Sequence, residues 1–128
     1  MPKDFDSWNK IKKQVDERKI NIFCNQREIW WCSLGLNVGS EEDGKNELFE
    51  RPVLIINVFN KDMLRVAPLT SKNKEDKNHI SIIYSGRTGA VIVSQAKTIS
   101  SKRLSRKLCR LNREQFSKVM EGLKNNLV

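Results

Sequence analysis

The sequence is poor in the residues that build metal centres, disulfide frameworks and histidine-based catalytic sites. His79 is the only histidine in the 128 residues, which excludes a mechanism built on a histidine pair and a zinc site built on several imidazoles. The three cysteines, Cys24, Cys32 and Cys109, are odd in number and too widely spaced for a disulfide framework or a CxxC metal site. We therefore expect reduced thiols, no metal ion and no cofactor.

Long hydrophobic runs are also missing. The longest nearly unbroken apolar stretch lies around Val53 to Phe59, far short of the roughly 18 to 20 residues that span a bilayer. Residues 1–20 alternate charged residues with single apolar ones, unlike the continuous apolar stretch of a signal peptide. The sequence therefore predicts a cytoplasmic protein without a membrane segment.

Positive charge dominates the composition. The chain has 24 Lys and Arg against 15 Asp and Glu, a formal net charge of +9, while 38% of its residues are hydrophobic. This length and composition suit one domain with a single core, and the excess of positive charge points to a polyanionic partner. Seven basic residues and no acidic one lie between Lys97 and Arg113. This basic stretch is typical either of an electrostatic footprint for nucleic acid or of a solvated face.

Hydrophobic periodicity predicts a mainly β chain with flanking helices. Apolar residues at three- and four-residue steps predict an amphipathic helix within residues 1–26, as an extension of a main domain at 27–128. Five strands are predicted in that domain: Arg27 to Leu34, Val53 to Phe59, Met63 to Leu69, Ile80 to Tyr84 and Ala90 to Val93. Short connections between them favour a small, mostly antiparallel barrel. The second strand is apolar at nearly every position, which predicts burial of both its faces.

A C-terminal helix is predicted to begin after Asn112. Gln115 would complete a capping box with that residue, and Leu111 would pack against Phe116 as a hydrophobic staple. The predicted buried stripe of this helix consists of Phe116, Val119, Met120, Leu123 and Leu127.

Two strand ends form the clearest candidate site. Arg51 enters the core strand, and Thr70 with Ser71 leaves the next one. Because the turn between these strands is centred near Asn60 to Asp62, Arg51 should lie roughly opposite residue 70 or 71. The planar guanidinium of arginine donates two hydrogen bonds to phosphate oxygens. A hydroxyl can donate to the same phosphate as the negative charge on its oxygens grows during a reaction. The pattern therefore predicts a phosphate site.

The order of short motifs along the chain carries a family resemblance. The motifs are Glu28-Ile-Trp-Trp-Cys-Ser-Leu, Gly39-Ser-Glu, Arg51-Pro-Val-Leu-Ile-Ile, Pro68-Leu-Thr-Ser, Val93-Ser-Gln and Thr98-Ile-Ser-Ser-Lys-Arg-Leu. In this order, over about residues 27 to 125, the chain resembles the MazF/PemK family of toxins from prokaryotic toxin-antitoxin modules. The resemblance implies an SH3-like barrel that forms a homodimer and is held inactive by an antitoxin with an acidic or disordered segment.

The same resemblance implies an activity and a set of site residues. It implies an enzyme that cuts single-stranded RNA at short sequences without a metal, as members of that family do, leaving a 2′,3′-cyclic phosphate and a 5′-hydroxyl. The family's catalytic pair matches Arg51 and Thr70, the two residues that the hairpin geometry indicates independently. The positions that match RNA-binding motifs are Ser40, Glu41, Ser71 and Gln95. The general base stays unassigned, with Glu41 as one alternative, and the segment between Glu41 and Arg51 is longer than in better-known members.

Two other functions remain open at the level of the sequence. A similar barrel occurs in CcdB-like toxins, which inhibit DNA gyrase by binding it and need no catalytic pair. A noncatalytic RNA-binding module would need only positive charge. The pairing of Arg51 with Thr70 favours the endoribonuclease, because neither alternative requires it.

Overall fold

The computed structural model of the chain describes residues 23–33 and 50–127. Its strands are β1 (Glu28–Ser33), β2 (Glu50–Val58), β3 (Met63–Thr70), β4 (His79–Tyr84), β5 (Arg87–Ile92), β6 (Lys97–Ser100) and β7 (Leu104–Arg110), and its helix is α1 (Arg113–Asn126). Short 3-10 turns follow β5 at Val93–Gln95 and β6 at Ser101–Arg103. The helix predicted near the N-terminus and the loop after β1 lie outside the described residues.

The strands form one curled antiparallel sheet in the order β4-β5-β3-β2-β1-β7, and β6 pairs with β3 off this path. The curl centres on β3, whose first half pairs with β6 and whose last two residues pair with β5. The prediction of a mainly β, small antiparallel barrel with a C-terminal helix is confirmed. In the described residues, no helix is long and apolar enough to cross a membrane.

The prediction of five strands is wrong, because the basic stretch itself contributes β6 and β7. These strands place few apolar residues inward, mainly Ile99 and Leu104, so charged residues conceal their alternation. The predicted start of β5 at Ala90 is also wrong. A two-residue turn at Ser85 and Gly86, both with positive φ, lets the strand begin at Arg87.

Two hydrophobic clusters lie on opposite sides of the central strand β2. Leu54 and Ile56 belong to the cluster that packs against α1, whereas Val53 and Ile55 belong to a second cluster that contains Trp30. The prediction that both faces of this strand are buried is therefore confirmed. The rigid strand carries Arg51 at its beginning, so packing on both faces positions that side chain.

The start of α1 is close to the prediction. The Asn112 side chain accepts a hydrogen bond from the Gln115 backbone N–H at 2.8 Å, and Leu111 and Phe116 share one cluster. The Gln115 side chain does not return to the cap. Its amide pairs instead with the backbone N–H and C=O of Ile83, which satisfies polar groups on the edge strand β4. Leu127, predicted in the buried stripe, is 88% exposed because the helix ends at Asn126.

Candidate active site

Arg51 and Thr70 lie at neighbouring ends of β2 and β3. Val53 is paired with Pro68, and continuing this antiparallel register by two residues places Arg51 opposite Thr70. Arg51 Nη1 donates a hydrogen bond to the Leu69 carbonyl at 2.9 Å, which holds the guanidinium against the end of β3. The turn between these strands is an Asx turn, in which Asn60 Oδ1 accepts from the backbone N–H groups of Asp62 and Met63. A register shift between Ile55 and Asn57 then brings Thr70, rather than the next residue, opposite Arg51.

Both side chains line one pocket of about 170 Å³. The residues around it are Trp31, Glu50, Arg51, Pro52, Leu69, Thr70, Ser71, Tyr84 and Arg87. Arg51 is only 3% exposed and Thr70 only 6%. Partial exclusion of water strengthens the interaction between a guanidinium and an anion, so this pocket favours a phosphate over a neutral group.

The backbone around Thr70 is tightly fixed. Thr70 pairs with Ala90 of β5, and its Oγ1 accepts a hydrogen bond from the Lys72 backbone N–H at 3.3 Å. Gly89 allows β5 to approach closely, since a Cβ at this position would lie 2.6 Å from the Thr70 carbonyl oxygen. The position of the Thr70 hydroxyl therefore depends on a glycine in the neighbouring strand.

Replacement of Gly89 by alanine should disturb both stability and the site. The added Cβ must push β5 away from β3 or shift the Thr70 carbonyl, at a cost of about 1 to 3 kcal/mol. Denaturant unfolding measures the first effect, and the rate of the RNA cleavage that the family resemblance implies measures the second. Thr88→Ala, at an exposed position in the same strand, is the matched control and should change neither. Wild-type stability and cleavage in Gly89→Ala would contradict the predicted close approach.

Tyr84 and Arg87 line the same pocket, although the sequence patterns did not single them out. They face each other across the two-residue turn that joins β4 to β5. Burial raises the pKa of Tyr84 above its ordinary value, Arg87 opposes that shift and Cys109 adds to it. The pocket thus contains a protonated phenol and a second arginine. A Ser-Gly turn between two strand patterns was the signal that would have located this pair.

Glu50 and Trp31 also line the pocket. Glu50, buried at 1% exposure, accepts hydrogen bonds from the Ser105 hydroxyl and from Arg106 Nη1. The Arg106 guanidinium also stacks over the Trp31 ring, 4.8 Å from its centre. Of the two adjacent tryptophans, therefore, Trp30 lies in the core and Trp31 lines the site.

Part of the basic stretch consequently has a structural role. Arg106 pairs with Glu50 at 3.2 Å, and Lys107 pairs with Glu28 at 3.0 Å. Burial alone would raise the pKa of Glu28, but hydrogen bonds from the Trp30 indole, the Asn25 backbone and Lys107 lower it below its ordinary value. These ion pairs tie β7 to β1 and β2, while the Arg106 and Lys107 side chains stay about half exposed.

The other predicted site residues are placed differently. Ser71 lines the pocket beside Thr70, whereas Ser40 and Glu41 lie outside the described residues. Gln95 follows β5 in a 3-10 turn, five residues beyond the Ala90 that pairs with Thr70, and does not line the pocket. Among the described residues, no three His, Cys, Asp or Glu side chains are grouped so that they could hold a metal ion.

Fold and pocket together define a small antiparallel half-barrel whose strand ends place an arginine and a hydroxyl in one pocket. The family described as PemK-like, MazF-like toxin of type II toxin-antitoxin system matches residues 25–127. The chain belongs to this family. The resemblance seen in the order of motifs is thereby confirmed.

Solved structures with the same fold include MazF from Deinococcus radiodurans, with a TM-score of 0.68 and 17% identity over 84% of this chain and 98% of that one. An endoribonuclease in complex with its cognate antitoxin from a Mycobacterial species has a TM-score of 0.65 and 16% identity, over 82% and 95% of the two chains. Mycobacterium tuberculosis toxin MazF-mt6 has a TM-score of 0.60 and 19% identity, over 79% and 96%. No curated protein matched the sequence.

Proposed function

We propose that this toxin-family chain is an endoribonuclease that cleaves single-stranded RNA at short sequences without a metal ion. The observation that carries the proposal is the juxtaposition of Arg51 and Thr70 in a pocket of about 170 Å³. The chain's membership of the PemK-like, MazF-like family supports it. Neither gyrase binding nor simple RNA binding gives a reason for a nearly buried arginine beside a hydroxyl.

The proposed reaction uses the RNA's own 2′-hydroxyl as nucleophile. Its oxygen attacks the adjacent phosphorus while its proton passes to a base, and the bond from phosphorus to the 5′-oxygen breaks as that oxygen gains a proton. The products are a 2′,3′-cyclic phosphate and a 5′-hydroxyl. Holding the attacking and leaving oxygens in line is the main geometric requirement, and rigid strand ends satisfy it better than loops.

Arg51 suits stabilisation of the phosphorane-like charge, because a guanidinium remains positively charged at physiological pH and offers a planar fork of donors. The hydroxyls of Thr70 and Ser71 would donate to the same group of oxygens. Tyr84 adds a protonated phenol on the wall of the same pocket. We leave the general base unassigned, since Glu41, the carboxylate named from the sequence, lies outside the described residues.

We extend the proposal to the partners of the chain. One solved structure of the same fold is an endoribonuclease bound to its cognate antitoxin. For this chain we infer an antitoxin with an acidic or disordered segment, because the net charge of +9 attracts such a segment. We also infer a homodimer and a cytoplasmic site of action, where RNA substrates are present.

Incubation of the purified protein with a long transcript in EDTA tests the proposal. We expect discrete fragments, each with a cyclic phosphate at one new end and a hydroxyl at the other. A single 2′-deoxy substitution at a mapped cleavage site should abolish cleavage there and leave neighbouring sites unaffected, because it removes the nucleophile. Intact RNA, or fragments that appear only when divalent metal is restored, would contradict the proposal. Intact RNA together with stalled gyrase would support the CcdB-like alternative.

A further inference from the structure

A second groove, separate from the cleavage pocket, gathers three arginines. Its volume is about 510 Å³, and its lining residues are Asn25, Gln26, Arg27, Arg110, Arg113, Phe116 and Ser117. Among these described lining residues, three are positively charged and none is acidic. We call this the arginine groove.

Three backbone elements hold the arginines together. Arg27 precedes β1, Arg110 is the last residue of β7, and Arg113 is the first residue of α1. The backbone carbonyl of Arg27 accepts from the Leu111 N–H at 2.8 Å, and Arg27 Nε donates to the Leu111 carbonyl at 3.2 Å. That bond uses one of the five N–H donors of the guanidinium. The convergence is therefore built into the fold.

The arrangement is unfavourable for the protein alone. The pKa of Arg27 is lowered, first by burial and then by the charges of Arg110 and Arg113. Arg113 adds a cation to the first turn of α1, where the helix dipole disfavours positive charge. Arg27 also has a φ of 77°, in the left-handed region that non-glycine residues rarely adopt. An anion between the guanidinium groups would relieve the first two of these costs.

We propose that the arginine groove binds backbone phosphate of the RNA substrate at a distance from the cleaved bond. This inference rests on the proposed function, since it gives the same substrate a second contact. Arg27 directly precedes β1, and Cys32 within that strand is paired with Arg51, so about 13 Å of strand backbone separates the groove from the level of the cleavage pocket. RNA must therefore extend past the cleavage pocket to reach the groove.

The lining chemistry favours nucleic acid over an acidic protein segment. Side chains of Asn25, Gln26 and Ser117 add polar donors and acceptors suited to phosphate and ribose. Phe116 is the one large apolar side chain in the lining, and it is buried at 9% exposure in the core. With one large apolar side chain in its lining, the groove suits a ligand that is held by charge and hydrogen bonds, as a phosphate backbone is.

Binding measurements with a triple variant, Arg27→Gln, Arg110→Gln and Arg113→Gln, test the proposal. Both it and its control carry Arg51→Ala, so that RNA stays intact. The control replaces the exposed Lys61, Lys74 and Lys124 by Gln and removes the same charge. For a long single-stranded RNA, we expect the triple variant to bind about tenfold more weakly than the control at 0.15 M salt. The magnitude of the slope of log affinity against log salt should fall by about 0.7 to 1.4, as expected for one or two phosphates of a single strand.

Two further readouts separate this proposal from the proposed function. When Arg51 is left unchanged, the triple variant should cleave a short oligonucleotide, which does not reach the groove, at the normal rate. It should cleave a long transcript less efficiently. If wild-type protein cleaves nothing but the triple variant still loses RNA affinity, the proposed function fails and the groove stands. Equal RNA binding by the triple variant and the control would overturn the proposal that the groove binds RNA. Weakened binding of polyglutamate with unchanged RNA binding would overturn it too, and would show that the groove binds an acidic protein instead.

Thermal unfolding without RNA tests whether groups of the protein itself stabilise the guanidinium charges of the groove. The double variant Arg110→Gln and Arg113→Gln should keep or raise the Tm, because it removes repulsion between like charges. A Tm several degrees lower would mean that the guanidinium groups are held by the protein, and would overturn the proposal.

Discussion

Arg51→Ala is expected to lower the rate of RNA cleavage at least a hundredfold while most RNA binding remains. Alanine removes a nearly buried guanidinium from the pocket where the proposed reaction develops negative charge, and the loss of one such donor typically costs about 10² to 10³ in rate. Binding should persist, because the variant keeps the three arginines of the proposed arginine groove. Single-turnover cleavage at saturating protein measures the chemical step, and filter binding in EDTA measures affinity.

The matched control is Arg65→Ala, on the same sheet but exposed and outside the pocket. It removes the same charge and should leave single-turnover cleavage unchanged. Because Arg51 also donates to the Leu69 carbonyl, unfolding of Arg51→Ala must be measured in parallel. Arg51→Lys keeps the charge without the planar fork and should recover only part of the rate. Cleavage by a folded Arg51→Ala at the wild-type rate would rule out the assignment.

Thr70→Val should slow cleavage by about 10- to 100-fold with little change in RNA affinity. Valine keeps the shape of threonine and removes only the hydroxyl that would donate to the phosphate oxygens. It also removes the acceptor of the Lys72 N–H, a local bond worth about 1 kcal/mol, so the folded fraction has to be checked.

Thr70→Ser provides the control for this prediction, because it restores the hydroxyl and its bond to Lys72. We expect the cleavage rate of Thr70→Ser to stay within a few-fold of the wild-type rate, because the hydroxyl donor is retained. A valine variant as active as the serine variant would show that the hydroxyl has no part in the reaction, whatever its position in the pocket.

The juxtaposition of Arg51 and Thr70 could be predicted because it depends on local rules. The turn at Asn60 limits the residue opposite Arg51 to position 70 or 71, and a register shift between Ile55 and Asn57, which the sequence does not reveal, selects Thr70. The core strand could also be predicted, because its nearly unbroken apolar run after Pro52 is short and rich in β-branched residues. Both features depend on residues close together in the chain.

Features that depend on distant partners were not predictable in this way. The predicted return of the Gln115 side chain to the helix cap was wrong. That side chain bonds the backbone of Ile83 in the edge strand β4, 32 residues earlier, and nothing in the local sequence specifies that partner. Strand β7 was concealed because its charged residues pair with Glu50 and Glu28 from other strands. Arg27 reaches the arginine groove only through the β1 and β7 pairing.

The most direct test of the account is the double variant Arg51→Ala with Thr70→Val, compared with both single variants by single-turnover cleavage. When two groups act as a unit on one phosphodiester, removal of the second costs little once the first is gone. The cleavage rate of the double variant should therefore be about that of Arg51→Ala alone. Losses that multiply, to within a factor of about two, would mean that the two side chains act independently and would contradict the account.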